Sequence, residues 1–166
     1  MIVLGIDPGS RTTGYGVVSV DEGKIHHLDN GGIHTRHVTP LAGRLEQIHR
    51  EALALIERFH PDVMAIEEVF VAHNVKSAMT LGHARGVVML AAALHDVRVV
   101  EYSAREVKQA LVGHGAASKH QIQHMTRCLL KLPDIAHEDA ADALAVAICH
   151  CHAHRLEDVL RERSKT

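Results

Sequence analysis

The chain has 166 residues, of which 46% are hydrophobic, so it can bury the core of one globular domain without disulfides. We find no run of the roughly 20 apolar residues that a membrane span needs and no secretion signal. A formal net charge of −2 neither supports nor excludes a nucleic-acid partner, because a local basic surface decides such binding. The three cysteines form no disulfide framework, which predicts a reduced, cytoplasmic protein.

The first predicted element is a buried strand over residues 2–6, which is apolar, rich in β-branched residues and ended by Pro8-Gly9. A carboxylate, Asp7, stands at the end of this strand, and a rigid strand would fix its position. An Asp before Pro-Gly is also ordinary turn chemistry, so Asp7 is equally compatible with a turn cap. The choice depends on whether other acids converge on the same point.

The rest of the chain reads as strands followed by alternating strands and helices. Two more β segments, at 13–20 and 24–34, give the sheet an antiparallel start. The later predicted elements are a helix from Pro40 to Pro61, a strand from Val63 into Glu67 and Glu68, a helix from Asn74 to Leu94, a strand over 97–101, and helices at about 104–112, 118–131 and 138–153. This order predicts one α/β domain with a mixed sheet. We place the domain at residues 1–155 and a short charged tail at 156–166.

A second group of acids lies on the last predicted helix. Asp139 and Asp142 are three residues apart, so they share one helical face. Acids near a helix start are stabilised by the macrodipole, which makes Asp139 alone a weak signal. Asp142, however, lies among alanines and Leu144, where an unpaired charge costs stability. Asp142 therefore indicates a bound cation.

The candidate acids are thus Asp7, one of Glu67 and Glu68, Asp139 and Asp142. Carboxylate oxygens suit Mg²⁺, which also takes phosphate oxygens as ligands. Two such ions about 4 Å apart can support phosphodiester hydrolysis. The pattern does not choose between Glu67 and Glu68, because adjacent strand residues face opposite sides of a sheet.

Four segments together resemble the RuvC family of Holliday-junction resolvases. They are GIDPGSRTTGYG at 5–16, AIEEVF at 65–70, LGHARG at 81–86 and DAADALA at 139–145. They follow one another in the family's order, and the resemblance covers residue 4 to about residue 152. It implies an RNase H-like fold with a five-stranded sheet whose first three strands are antiparallel. It further implies Mg²⁺-dependent paired nicking of four-way DNA junctions by a homodimer. The resemblance favours pairing through the predicted helix from Asn74 to Leu94, where Gly82 and Gly86 allow close approach and Leu81 and Val88 are available for burial.

The resemblance also implies roles for individual residues. It assigns the metal-binding and catalytic acids as Asp7, Glu67, Asp139 and Asp142, which selects Glu67 over Glu68. Two ions are expected per site, with Mn²⁺ able to replace Mg²⁺. Some family members carry His where Asp139 stands, so the neighbouring His137 and Glu138 are alternative groups at the metal.

The resemblance implies DNA contacts as well. Lys108 and Lys119 match basic family positions near the cleavage site, where a lysine charge can hold a phosphate; without the resemblance both would be interpreted as solvated. Phe70 matches an aromatic residue that contacts DNA and could stack on an unpaired base. Arg11, just beyond Asp7, is a further candidate. Arg85 is a candidate for DNA or for a helix interface.

Other interpretations of the chain remain open at this stage. The segment from Cys149 to His154 could suggest zinc, but alternate helical residues diverge, so we interpret it as packing. An actin-like kinase shares the opening motif but needs a second lobe. The nearer rivals are an RNase H-like nuclease acting on RNA or other branched DNA, and a non-catalytic junction-binding module. We expect a RuvA–RuvB branch-migration complex as a partner and no association with membranes. The sequence does not indicate the preferred cleavage site.

Overall fold

The computed structural model describes residues 1–68 and 75–163, with side chains described as far as residue 156. Within these residues the strands are β1 Ile2–Asp7, β2 Thr12–Asp21, β3 Lys24–His34, β4 Val63–Glu67 and β5 Arg98–Tyr102. The helices are α1 Leu41–Phe59, α2 Val75–Leu94, α3 Ala104–Val112, α4 Lys119–Leu130 and α5 Glu138–Arg163. The predicted order of elements is confirmed.

The strands form one mixed sheet in the order β3-β2-β1-β4-β5. β1, β2 and β3 pair antiparallel, whereas β4 and β5 run parallel to β1. Because β1 and β4 are adjacent and parallel, their carboxyl ends meet at the same edge of the sheet. The predicted fold class, a mixed five-stranded sheet with an antiparallel start, is confirmed.

The sheet separates two apolar layers, and the alternation along β1 shows how. Leu4 and Ile6 pack with α1 and α2, whereas Val3 packs on the opposite face with α3, α4 and α5. In β4, Ile66 belongs to the first layer and Ala65 to the second. Successive strand residues alternate between faces, so the residues that follow Ile6 and Ile66 lie on the α5 side.

Helix α5 is longer than the sequence pattern predicted. It continues to Arg163, whereas we expected its helical pattern to end near residue 153. No Gly or Pro interrupts residues 138–163, and the Leu, Glu and Arg residues near its end favour helix. The division between a domain at 1–155 and a tail at 156–166 stays a prediction.

Helix α2 is apolar on more than one side. Its Ala84, Val88, Ala91 and Ala92 are buried against the sheet, so the expectation that Val88 is available to a partner was wrong. Among the described residues, α2 alone is long and apolar enough to cross a membrane by length and composition, which corrects the prediction that no stretch qualifies. One such helix is weak evidence, because core helices of soluble proteins pass the same test.

Candidate active site

Two strand ends bring the first two acids together. Ile6 of β1 pairs with Ile66 of β4, so Asp7 and Glu67 are the next residues on adjacent parallel strands. By the alternation described above, both side chains lie on the face that α5 covers. Glu68 falls on the opposite face and is exposed, and its backbone N–H donates to the Tyr102 carbonyl at 2.9 Å. The geometry therefore favours Glu67 over Glu68.

Glycines in the opening motif allow α5 to lie directly on the sheet. A Cβ atom at Gly5 would lie 2.1 Å from the Ala143 carbonyl oxygen, and one at Gly14 would lie 2.0 Å from the Asp139 carbonyl oxygen. Gly14 is also the strand partner of Asp7. Because neither glycine has a side chain, the start of α5 rests against the strand that carries Asp7. Sequence reasoning missed this role of the motif's glycines, although their two-residue spacing at Gly14 and Gly16 was visible.

The α5 acids lie at the first turns of that helix. Asp139 and Asp142 have side chains that are 29% and 22% exposed, and the alanines around Asp142 are buried. The expectation that Asp142 is not a solvated surface acid is therefore confirmed by its surroundings. Asp7, Glu67, Asp139 and Asp142 form one electrostatic group at this edge of the sheet, and the structure thus brings the four predicted acids together.

Burial and mutual repulsion disfavour the charged forms of these carboxylates. Burial and the negative charges of Asp142, Glu67 and Asp139 raise the pKa of Asp7 to about 7. Burial, followed by the charge of Asp142, raises the pKa of Glu67. Burial also raises the pKa of Asp142, although Lys119 acts in the opposite direction. Buried carboxylates with raised pKa values form a site that a cation would stabilise.

Lys119 partly neutralises this group. Its Nζ lies 3.0 Å from Asp142 Oδ2 and also contacts Glu138 Oε1. Burial alone would lower the pKa of Lys119, but the hydrogen bonds to Glu138 and Asp142 raise it overall. The lysine is held in place by α4, whose Ser118 and Gln121 form a capping box at that end. Lys119 is therefore not a freely solvated lysine.

A cleft of about 230 Å³ joins the acids to the second lysine. Glu67, Asp142, Lys108 and Lys119 line it, together with apolar residues of α3, α4 and α5. The charge of Lys108 acts to lower the pKa of Glu67, although burial raises it overall. Acids that can hold cations and lysines that can hold a phosphate thus share one opening.

The remaining predicted contacts have different positions. Arg11 is exposed in the turn after Asp7, and its carbonyl accepts a hydrogen bond from the Thr35 N–H at 3.0 Å. Arg85 forms an ion pair with Glu101 of β5. Phe70 lies outside the described residues, as does Asn74. The roles of Arg11 and Phe70 in DNA binding stay predictions.

His137 and Glu138, the alternative metal-binding residues, have different surroundings. His137 is largely exposed, and its Nδ1 lies 3.6 Å from Asp139 Oδ2. Glu138 pairs with Lys119, whose hydrogen bond lowers the pKa of the Glu138 carboxyl. Neither residue lines the cleft.

The cysteine and histidine run on α5 packs inside the protein. Cys149 and Cys151 are buried, and burial raises the pKa of each thiol to about 12. Tyr102 Oη lies 2.8 Å from His150 Nδ1, and His152 Nδ1 lies 3.1 Å from the Ala110 carbonyl. These contacts agree with the packing interpretation.

The four carboxylates supply oxygen ligands of the kind that hard divalent cations prefer. The pKa values of three of them, Asp7, Glu67 and Asp142, are raised. Across residues 1–68 and 75–163, however, no three His, Cys, Asp or Glu side chains are preassembled around one ion position. Lys119 lies beside Asp142 instead. The carboxylate oxygens therefore fit a metal ion. To bind it, the acidic side chains would have to move closer together, and the ammonium group of Lys119 would have to move away from Asp142.

Comparison with known proteins agrees with this arrangement. The family model described as crossover junction endodeoxyribonuclease RuvC matches residues 3–150. The protein of that name from Syntrophotalea carbinolica is 53% identical over 160 residues, covering 96% of this chain and 99% of its own. The Geobacter sulfurreducens protein is 50% identical over 161 residues, covering 97% and 98%.

Solved structures give the same result. Thermus thermophilus RuvC, in a complex with a Holliday-junction substrate, superposes with a TM-score of 0.89 at 37% identity, covering 95% of this chain and 96% of its own. The yeast mitochondrial Holliday-junction resolvase has a TM-score of 0.71 at 12% identity over 98% and 84% of the two chains, a likeness of fold alone.

The sheet order and the acid cluster at its edge define an RNase H-like nuclease. Within that class, the family-model match and the identity over nearly the full length decide the family. The chain belongs to the RuvC family of crossover junction endodeoxyribonucleases, which are hydrolases acting on DNA.

Proposed function

We propose that this chain resolves four-way DNA junctions by cutting one phosphodiester bond in each of two opposed strands, with two divalent ions held by Asp7, Glu67, Asp139 and Asp142. The observation that carries the proposal is the convergence of these acids, from β1, β4 and α5, beside a cleft that two lysines line. We expect Mg²⁺, with Mn²⁺ as a substitute. Such ions, when bound, supply activation of water and stabilisation of the leaving oxygen.

The protein's own groups supply position and charge. The strand ends and the start of α5 hold the four acids at one edge of the sheet, so adjustments of the side chains alone would bring them around the ions. Lys108 and Lys119 line the same cleft and can bind the phosphates that flank the cut. Phe70 and Arg11 would contact DNA near the junction point, which their places in the chain after Glu67 and Asp7 support.

Charge-removing variants test the acids. Asp7→Asn, Glu67→Gln, Asp139→Asn and Asp142→Asn should each abolish nicking of a synthetic four-way junction while retaining or strengthening binding, because an amide keeps the shape and removes repulsion of phosphate. Glu68→Gln is the matched control for Glu67→Gln, since it alters the adjacent, exposed carboxylate. Activity retained by Glu67→Gln and lost by Glu68→Gln would contradict the assignment.

The products test the reaction. Metal-assisted hydrolysis at these acids should leave 5′-phosphate and 3′-hydroxyl ends, so DNA ligase should seal paired nicks without processing. A linear duplex and an RNA–DNA hybrid serve as competing substrates and should be cut much less than the junction. Preferential cutting of the hybrid would move the function to an RNA-directed nuclease.

We further propose that the active form is a homodimer that pairs through α2. Val75, Met79, Leu90 and Leu94 are between 52% and 69% exposed along this helix. Between them, a Cβ at Gly82 or Gly86 would meet no atom within 4 Å, so a second helix can approach closely. A four-way junction has two-fold symmetry, and two sites related by a two-fold axis can cut equivalent strands. Burial of α2 in a dimer also accounts for its apolar surface without a membrane.

A partnership with the RuvA–RuvB motor and a cytoplasmic location complete the proposal. Both rest on membership of the family. The first is tested by adding RuvA and RuvB to the cleavage reaction, which should redirect cutting along a mobile junction, and the second by fractionating cells that express the tagged chain.

A further inference from the structure

Helix α4 links the acid cleft to a distant groove at the other end of the sheet. It begins at Lys119, beside Asp142, and ends at Leu130. There, a groove of about 520 Å³ separates the end of α4 from the start of β3. At 1.5 Å per residue the helix covers about 18 Å, which equals the rise of about five base pairs of duplex DNA.

The exposed side of α4 carries histidines near the cleft and cationic side chains toward its far end. His120, His124, Arg127 and Lys131 recur at four- and three-residue steps, so they lie in one row. The first two and Lys131 are exposed, and Arg127 is half-buried, with its Nε donating to the Leu132 carbonyl at 3.4 Å. The buried residues of α4 lie on another side. The sequence of α4 contains no Asp or Glu to neutralise the row.

The groove continues the row onto β3. Lys24, His26 and His27 line one wall, Lys131 lines the other, and no acidic side chain is among the described residues that line it. We call His120, His124, Arg127, Lys131 and Lys24 the basic track. A row that carries lysines and an arginine without acids, in a chain of net charge −2, is complementary to a polyanion.

We propose that the basic track binds the phosphate backbone of one duplex arm as the arm leaves the acid cleft. The proposal rests on the proposed junction-cleaving function, because the cleft fixes where the arm begins. Continuity with that cleft favours duplex DNA over an acidic protein. The track would add affinity and orient the arm, and it would take no part in the chemistry.

Removing two charges at the far end tests the track. The double variant Lys24→Gln with Lys131→Gln should weaken binding to a junction with 20-base-pair arms on the order of tenfold. It should also lower the slope of log affinity against log salt concentration by about two, because each phosphate contact that is lost reduces the number of counterions released on binding by about one. On a junction with hairpin-capped arms of about four base pairs it should bind like the wild type. Arg50→Gln with Arg98→Gln, two exposed charges away from the track, should bind like the wild type on both junctions.

A cross-link provides the independent measurement. Cys128 is exposed on the track side of α4, whereas Cys149 and Cys151 are buried, so a photoreactive aryl azide can be attached there selectively. Its place on α4 predicts cross-links about four base pairs from the crossover. Equal losses on long and short arms, an unchanged salt slope, or cross-links confined to the crossover would overturn the proposal.

Failure of the track and failure of the nuclease assignment are distinguishable. Lys24 and Lys131 lie far from the acids, so the double variant should retain the wild-type single-turnover cleavage rate at saturating protein. If the wild type binds in an arm-dependent way but never cuts, the nuclease proposal fails and the track stands. If the wild type cuts but neither arm length nor the variant changes binding, the track fails alone.

Discussion

Gly14 of β2 lies directly against the backbone of Asp139, so close that a Cβ atom at Gly14 would be 2.0 Å from the Asp139 carbonyl oxygen. Since Gly14 is also the strand partner of Asp7, one residue sets the spacing between two of the site's acids. The absence of a side chain at this position is therefore a condition for assembling the cleft.

Gly14→Ala should displace the start of α5 and separate Asp139 from Asp7. We expect a loss of cleavage of about a hundredfold or more, because misplacing a catalytic group by about 1 Å has that effect, and a destabilisation of about 1–3 kcal/mol. Single-turnover cleavage and thermal melting measure the two effects. Gly43→Ala in α1, where the nearest atom to a Cβ is a Val38 methyl at 3.2 Å, is the control and should keep full activity. Wild-type cleavage by Gly14→Ala would show that α5 can shift without harm.

Metal-free protein should lose stability as the pH rises. The pKa of Asp7 is about 7 in the folded state and 3.8 as a free side chain, so the folded state binds this proton more tightly. Its contribution to stability is therefore present at low pH and is lost between about pH 4 and pH 7, with an upper limit of about 4 kcal/mol.

Thermal melting in EDTA at pH 5 to 8 measures this dependence. Asp7→Asn should flatten the curve relative to the wild type, and Mg²⁺ should restore the wild type at pH 8. The comparison with Asp7→Asn is needed because histidines also titrate in this range. An identical pH dependence in both proteins would contradict the assignment to Asp7.

Lys119→Met should raise the affinity of DNA-free protein for divalent metal. The Lys119 ammonium lies 3.0 Å from Asp142 Oδ2, where it competes with a cation for the same carboxylate. Removing a charge at this distance should strengthen metal binding on the order of tenfold. Electron paramagnetic resonance of free Mn²⁺ gives the affinity without any cleavage.

Lys108→Met is the matched control, because Lys108 lines the same cleft but forms no ion pair with the acids within the part of the chain that the structure describes. It should produce a smaller increase. Equal increases for both variants would indicate a general field effect and argue against direct competition by Lys119.

Met79→Glu should convert the dimer to monomers. The side chain is 61% exposed in the single chain, so the monomer should fold normally, whereas a charge buried between two α2 helices should raise the dimer dissociation constant about a hundredfold or more. Sedimentation measures the mass, and a cruciform plasmid should show nicked circles before linear product. Leu28→Glu, at an exposed apolar residue of β3, should remain dimeric. A monomeric wild type that still makes coordinated cuts would refute the dimer.

Much of the fold could be predicted because its signals are local. Apolar runs that end in Asp7 and Glu67 gave two strands, and Pro40 and Pro61 delimited α1. The choice of Glu67 needed more, because it depends on which face of β4 meets α5. That face is set by packing across the sheet, and a shift of one residue would have exposed Glu67 and buried Glu68.

Contacts between distant elements were the part that sequence reasoning could not supply. The pairing of Lys119 with Asp142 depends on how α4 packs beside α5, and no local pattern encodes it. The burial of Val88 was also missed, because α2 is apolar on several sides and its pattern does not indicate which side meets the sheet.

The burial of α5 couples the active site to the global stability of the protein. Residues 143–149 of this helix are all less than 4% exposed, and they continue directly from the turn that carries Asp139 and Asp142. Amide hydrogens in this segment should exchange with solvent only when the whole protein unfolds, so their protection should equal the global free energy of unfolding. The acids of α5 thus belong to the last cooperative unit to open. Heating should remove metal ligation and global structure in a single transition, without a folded intermediate that has lost only its active site.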